Sequence, residues 1–89
     1  MKTIYKYPIS TDNYVTSWYA PAQSKSIYTG LDPHDVPCIW MEVPADAPND
    51  TKYYAIVVGT GHEVPSSEYA YLGSFVEMDT FIWHIYVTH

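Results

Sequence analysis

The stretch VVGTGHEVP, Val57 to Pro65, gathers chemically capable residues in one place: two glycines around Thr60, then His62 and Glu63. A glycine-rich loop can cradle phosphate with its backbone amides. A nucleotide-hydrolase loop, however, needs Lys-Ser/Thr after the glycines and a helix behind them, and neither follows Gly61. The dinucleotide fingerprint needs a third glycine, and Pro65 opposes the helix it would open. His62 and Glu63 are adjacent, so an extended chain points them to opposite sides and they make no ready acid–base pair. His34 and Asp35 have the same geometry. The stretch therefore reads first as a strand leaving its sheet on two glycines that permit positive φ. The second reading makes Gly59, Thr60, Gly61 and His62 a ligand-binding turn whose bare amides hold a small anion.

Elsewhere the chemistry is sparse. The histidines His34, His62, His84 and His89 are far apart and show no metal-ligand spacing. His84 falls on the more polar face of the last apolar run, where water or a neighbour would satisfy it. No serine lies in a Gly-x-Ser-x-Gly elbow. Glu77 and Asp79 flank a tight turn and read as solubilising charges. The single cysteine, Cys38, sits in the apolar run VPCIWMEV and reads as a small buried hydrophobe; it can form no intrachain disulfide. The expectation is a non-enzymatic protein with no catalytic constellation, no metal and no cofactor.

The elements that position these residues are short. Seven prolines leave no long window for a helix. Between them lie runs rich in Tyr, Ile, Val, Thr and Trp, over residues 2–9, 14–20, 25–31, 38–43, 52–58, 68–78 and 81–88. Residues 52–58 are the most apolar and read as a central strand. Ile27, Thr29 and Leu31 would share one face of the third run. Ile39, Met41 and Val43 would lie opposite Cys38, Trp40 and Glu42 in the fourth. Gly73 inside the sixth run predicts a bulge or sharp bend. Trp18, Trp40 and Trp83 read as core residues. The predicted fold is all-β: one domain over residues 1–89, a compact antiparallel small barrel or sandwich of six to seven short strands.

Charge narrows the partners. The net charge is −6, and the basic residues are four lysines with no arginine. Nucleic-acid binding needs a cation cluster that releases counterions, so it is not expected. No apolar stretch is long enough to cross a membrane as a helix, and MKTIYKYPIS lacks the apolar core of a leader. The chain has ten tyrosines, too many for one small interior, because each buried hydroxyl needs a partner. Tyr5, Tyr7, Tyr54 and Tyr86 are the expected partner-binding tyrosines, with Tyr14 and Tyr19 in the same exposed pool. A chain of this size buries only about 60–65% of its unfolded surface, so a homo-oligomer is expected as well.

The segments MKTIYKYPI, PCIWMEV, GTGHEVP, YLGSF and FIWHIYV, in that order, resemble a family of small phage- and prophage-encoded proteins of unknown function. The most specific block is Gly59-Thr60-Gly61-His62 with Pro65 after it; Tyr14 to Lys25 matches least. The resemblance implies a setting, the cytoplasm of an infected bacterium, and no activity. In that setting the expected function is an accessory protein that binds and inhibits a host or defence factor through an acidic, tyrosine-rich surface. The alternatives are an oligomeric sponge for a small anionic, nucleotide-like ligand near Gly59–His62, and a minor virion protein.

Overall fold

The proline-punctuated runs form seven strands: β1 (Lys2–Pro8), β2 (Val15–Ala20), β3 (Lys25–Leu31), β4 (Pro37–Pro44), β5 (Thr51–Gly59), β6 (Tyr69–Glu77) and β7 (Phe81–Thr88). In the computed structural model, which describes residues 1–88, they make two antiparallel sheets, ordered β1-β4-β3 and β2-β5-β7-β6. His89, one of the scattered histidines, lies outside the described residues. The two sheets pack as a sandwich and do not close into a barrel. The molecule measures 39 × 31 × 17 Å, so it is two layers thick and no more.

Alternation fills the space between the sheets. Ile39, Met41 and Val43 point inward from β4, and Ala55 and Val57 from β5. Ile85 and Val87 do so from β7, with Ile9 and Ala20 closing the cluster. Each fully buried branched side chain contributes roughly 1.5–3 kcal/mol relative to exposure. Strand β5 has β2 on one side and β7 on the other, the central place its composition predicts.

Two bulges break this regularity. In β6 the pairing shifts between Tyr71 and Gly73, which meets the expectation attached to Gly73. A Cβ at Gly73 would lie 3.1 Å from Thr29 Cγ2, so the glycine also lets β6 approach β3. In β3 the shift lies between Ser26 and Tyr28. It throws Ile27 out of the row shared with Thr29, so Thr29 is buried and Ile27 is exposed, contrary to the expected common face. Trp40 also departs from expectation. It pairs with Lys6 and Tyr28 on the outward side of β4, half-buried, and its ring tilts against Tyr28 at 5.3 Å. Trp18 and Trp83 do pack on the core.

Asp32 organises the β3–β4 connection. It is 8% exposed, takes hydrogen bonds from the His34 and Val36 amides at 2.8 and 2.9 Å, and pairs with Lys6 at 2.8 Å. The Lys6 ammonium first, and then the Val36 amide, hold its carboxyl down at about 2. Beneath it Cys38 is buried, and burial pushes its thiol up. The β6–β7 hairpin turns on Met78 and Asp79, both at φ 54°, with the Thr80 amide donating to the Glu77 carbonyl at 3.1 Å. Positive φ at both central residues is the pattern of a type I′ turn.

Candidate functional site: the Gly59–His62 turn and the histidine row

The turn after β5 is a tight one. The His62 amide donates to the Gly59 carbonyl at 3.0 Å, and Gly61 occupies the third position at φ 91°, where a side chain is disfavoured. The two glycines do different work, and this corrects the expectation that both supply positive φ. Gly59 ends β5 with ordinary strand geometry. What it supplies is room: a Cβ there would lie 3.1 Å from His62 Nδ1 and 3.4 Å from Trp83 Cζ3. His62 therefore folds back against the strand end beside Trp83, while Glu63 follows it into the exposed connection.

Beside the turn runs a row of hydrogen bonds across three strands. Thr60 Oγ1 is 3.0 Å from His84 Nε2. His84 Nδ1 is 2.7 Å from Ser74 Oγ, which is 2.7 Å from the Tyr71 hydroxyl. A neutral imidazole donates from one nitrogen and accepts at the other, and hydroxyls do either, so the row satisfies itself in either sense. Tyr71 and Ser74 are three residues apart and would face opposite ways in a regular strand. The β6 bulge adds the extra residue that brings both to the outward side, Tyr71 opposite Tyr86 and Ser74 opposite His84. His84 thus finds neighbours on the polar face, as its place in β7 suggested. The hydroxyl–imidazole contact at Thr60 resembles half of an acyl-transfer relay. The position where a carboxylate would support the imidazolium is held by the Ser74 hydroxyl instead.

Two clefts flank the turn. One, about 440 Å³, opens at the end of the sandwich between Gly59, Thr60, His62 and the start of β7. Its β7 wall carries the stacked rings of Phe81 and Trp83, 5.9 Å apart and inclined by 23°. The Trp83 indole donates to Glu77 Oε1 at 3.0 Å, and Glu77 also accepts from Thr11 at 3.1 Å. Glu77 is thus a brace for the ring, where the sequence suggested only a solubilising charge. The second cleft, about 280 Å³, lies on the outward side, between Thr60–His62 with Val64 and the row of Val58, His84 and Tyr86.

The four expected partner-binding tyrosines do not come together. Tyr54 and Tyr86 stand on the outward face of the four-stranded sheet. Tyr5 and Tyr7 belong to β1 in the other sheet, opposite the inward residues Met41 and Ile39. Tyr5 is exposed at that edge; Tyr7 stacks on Trp18 at 5.9 Å and packs on the core, which raises its hydroxyl's pKa through burial. Tyr14 and Tyr19 are exposed as expected. Tyr28 and Tyr71, outside the expected set, are exposed as well. Among the described residues no three His, Cys, Asp or Glu side chains form a metal-binding group. Among these residues, too, no helix is long and apolar enough to cross a membrane.

A family model described as a domain of unknown function, DUF7352, matches residues 1–89. The chain belongs to this family. No curated protein and no solved structure matches it.

Proposed function

We propose that this DUF7352 protein is a non-enzymatic binding module, a phage accessory protein that occupies a host or defence protein in the cytoplasm of an infected bacterium. The observation that carries the reading is the outward face of the β2-β5-β7-β6 sheet. By register it presents Val15, Tyr19, Tyr54, Tyr71, Tyr86 and Ile82 around the Thr60–His84–Ser74 row. Its one charged strand residue, Lys52, lies over the rings of Tyr19 and Tyr54 at 5.9 and 5.6 Å. Tyrosine-rich, charge-poor centres with a few fixed polar groups are what partner-burying surfaces are made of. The exposed carboxylates Glu63 and Glu68 stand in the β5–β6 connection. A thin core and an apolar face also support self-association in the absence of the partner.

The test is differential capture from infected-cell lysate. Tagged wild type and Trp40→Ala, altered on the opposite face, should retain the same stoichiometric protein, while Tyr71→Ala combined with Tyr86→Ala should lose it. Equal retention by all three, or no stoichiometric protein with any, would remove the reading. Light scattering that shows a monomer at high micromolar concentration would remove the self-association.

A further inference from the structure

The cleft at the end of the sandwich differs in chemistry from the outward face, with which it shares Thr60 and Ile82. Its volume, about 440 Å³, lies within the range of small-molecule sites. Its lining is Gly59, Thr60, His62, Thr80, Ile82 and the Phe81–Trp83 ring pair. Phe81 and Ile82 are 49% and 47% exposed, so apolar surface is left open to water there. The two rings are stacked with a tilt of 23°, and the Trp83 ring is held in place because Glu77 accepts its indole N–H. A ring fixed before binding loses little freedom when a ligand stacks on it. The polar groups are few: the Thr60 and Thr80 hydroxyls and the ring nitrogens of His62. Among the described residues no lysine and no carboxylate lines the cleft, and the whole chain carries −6.

From these observations we propose that this cleft binds an uncharged, planar aromatic or heteroaromatic molecule the size of an indole or a purine base. Phe81 and Trp83 supply the stacking surface, and His62 supplies hydrogen bonds to the ring edge; the Thr80 hydroxyl, whose proton goes to the Met78 carbonyl, and the Thr60 hydroxyl, bonded to His84, offer their remaining lone pairs as acceptors. Gly59 is part of the site because any side chain there would displace His62 from beside Trp83. An anion is the poorer match. Its charge would meet no lysine in the cleft and would be opposed by the field of the chain.

The experiment is a titration of the full chain followed by two-dimensional proton–nitrogen spectra, using indole and adenine as neutral probes and indole-3-acetate and AMP as their charged counterparts. The expected result is saturable shifts of the Trp83 indole and the Gly59–His62 amides, with the Val15 and Tyr19 amides unmoved. The charged probes should bind about tenfold more weakly than the neutral ones, the factor that 1.4 kcal/mol produces. Phe81→Ala, at a half-exposed position, should weaken neutral-probe binding by about the same factor. Thr80→Val serves as a second, milder variant should Phe81→Ala not fold, and is expected to weaken adenine more than indole. Absence of saturable shifts with both neutral probes would overturn the site. Equal or tighter binding of the anions would overturn the ligand class, and unaltered binding in every folded variant would overturn the placement.

Discussion

The two sheets present opposite kinds of outer surface. The outward side of β1-β4-β3 is organised by charge: Lys2 pairs with Glu42 at 3.3 Å and Lys6 with Asp32 at 2.8 Å, on either side of Trp40 and Tyr28. The outward side of β2-β5-β7-β6 has one strand charge, Lys52, and is organised by hydroxyls, an imidazole and tyrosine rings. Both faces cover the same thin core. They differ in what they offer: paired charges keep the first solvated, while the second keeps its polar groups satisfied among themselves and leaves rings free. A face whose hydrogen bonds are already internal loses little when water is removed from it.

This contrast can be broken in order of size. The largest effect is expected from Tyr71→Ala, which removes an exposed ring packed edge-on to Tyr86 at 5.5 Å. Affinity for the proposed partner should fall by about 2 kcal/mol or more, the range of an aromatic hot spot, whereas Trp40→Ala should leave it unchanged; calorimetry on both variants decides. Next is Asp32→Ala, which removes one ion pair and two amide hydrogen bonds from the first sheet's corner. The wild-type carboxyl lies at about 2, below its ordinary value of 3.8. Its contribution is therefore fully present above the ordinary value and is lost as pH falls through about 2. Thermal midpoints should differ clearly at pH 7 and converge below pH 2; a constant difference across that window would contradict the assignment.

A smaller loss, about 1 kcal/mol in denaturant unfolding, is expected from Gly61→Ala, because alanine is strained in the left-handed region. Gly59→Ala should cost less, since the exposed His62 ring can move aside. The least effect belongs to Lys2→Gln. The Lys2–Glu42 pair is solvent-exposed, so the change should stay below about 1 kcal/mol and vanish in high salt.

Much of this architecture was legible in the chain. The alternation in β4 puts Ile39, Met41 and Val43 on one face as found, although Trp40, expected in the core, stands on the other, and the apolar run of β5 marks a central strand. Gly73 marks the β6 bulge. The consequence of that bulge for Tyr71 and Ser74 follows once the extra residue is counted, and this was the available signal for the histidine row. Other features depend on long-range pairing. Ile27 carries no turn residue to announce its bulge, so the third strand looks regular until it is laid against β4. The partners of His84 come from β6 and from the turn after β5, a link that only the strand order β5-β7-β6 creates. The separate duties of Gly59 and Gly61 depend on His62 folding back, a backbone event with no mark in residue type.

The Met78–Asp79 turn has a consequence for the order of folding. Asp79 tolerates the left-handed backbone, but Met78 does not favour it and is 78% exposed, so nothing packed on it repays the strain. A turn of that kind does not start a hairpin. The pairing of Tyr69–Glu77 with Phe81–Thr88 must be established by contacts with β5 and the core before the tip closes. Replacing Met78-Asp79 with Asn-Gly should therefore slow unfolding while leaving the folding rate nearly unchanged, the kinetic signature of a region that settles last.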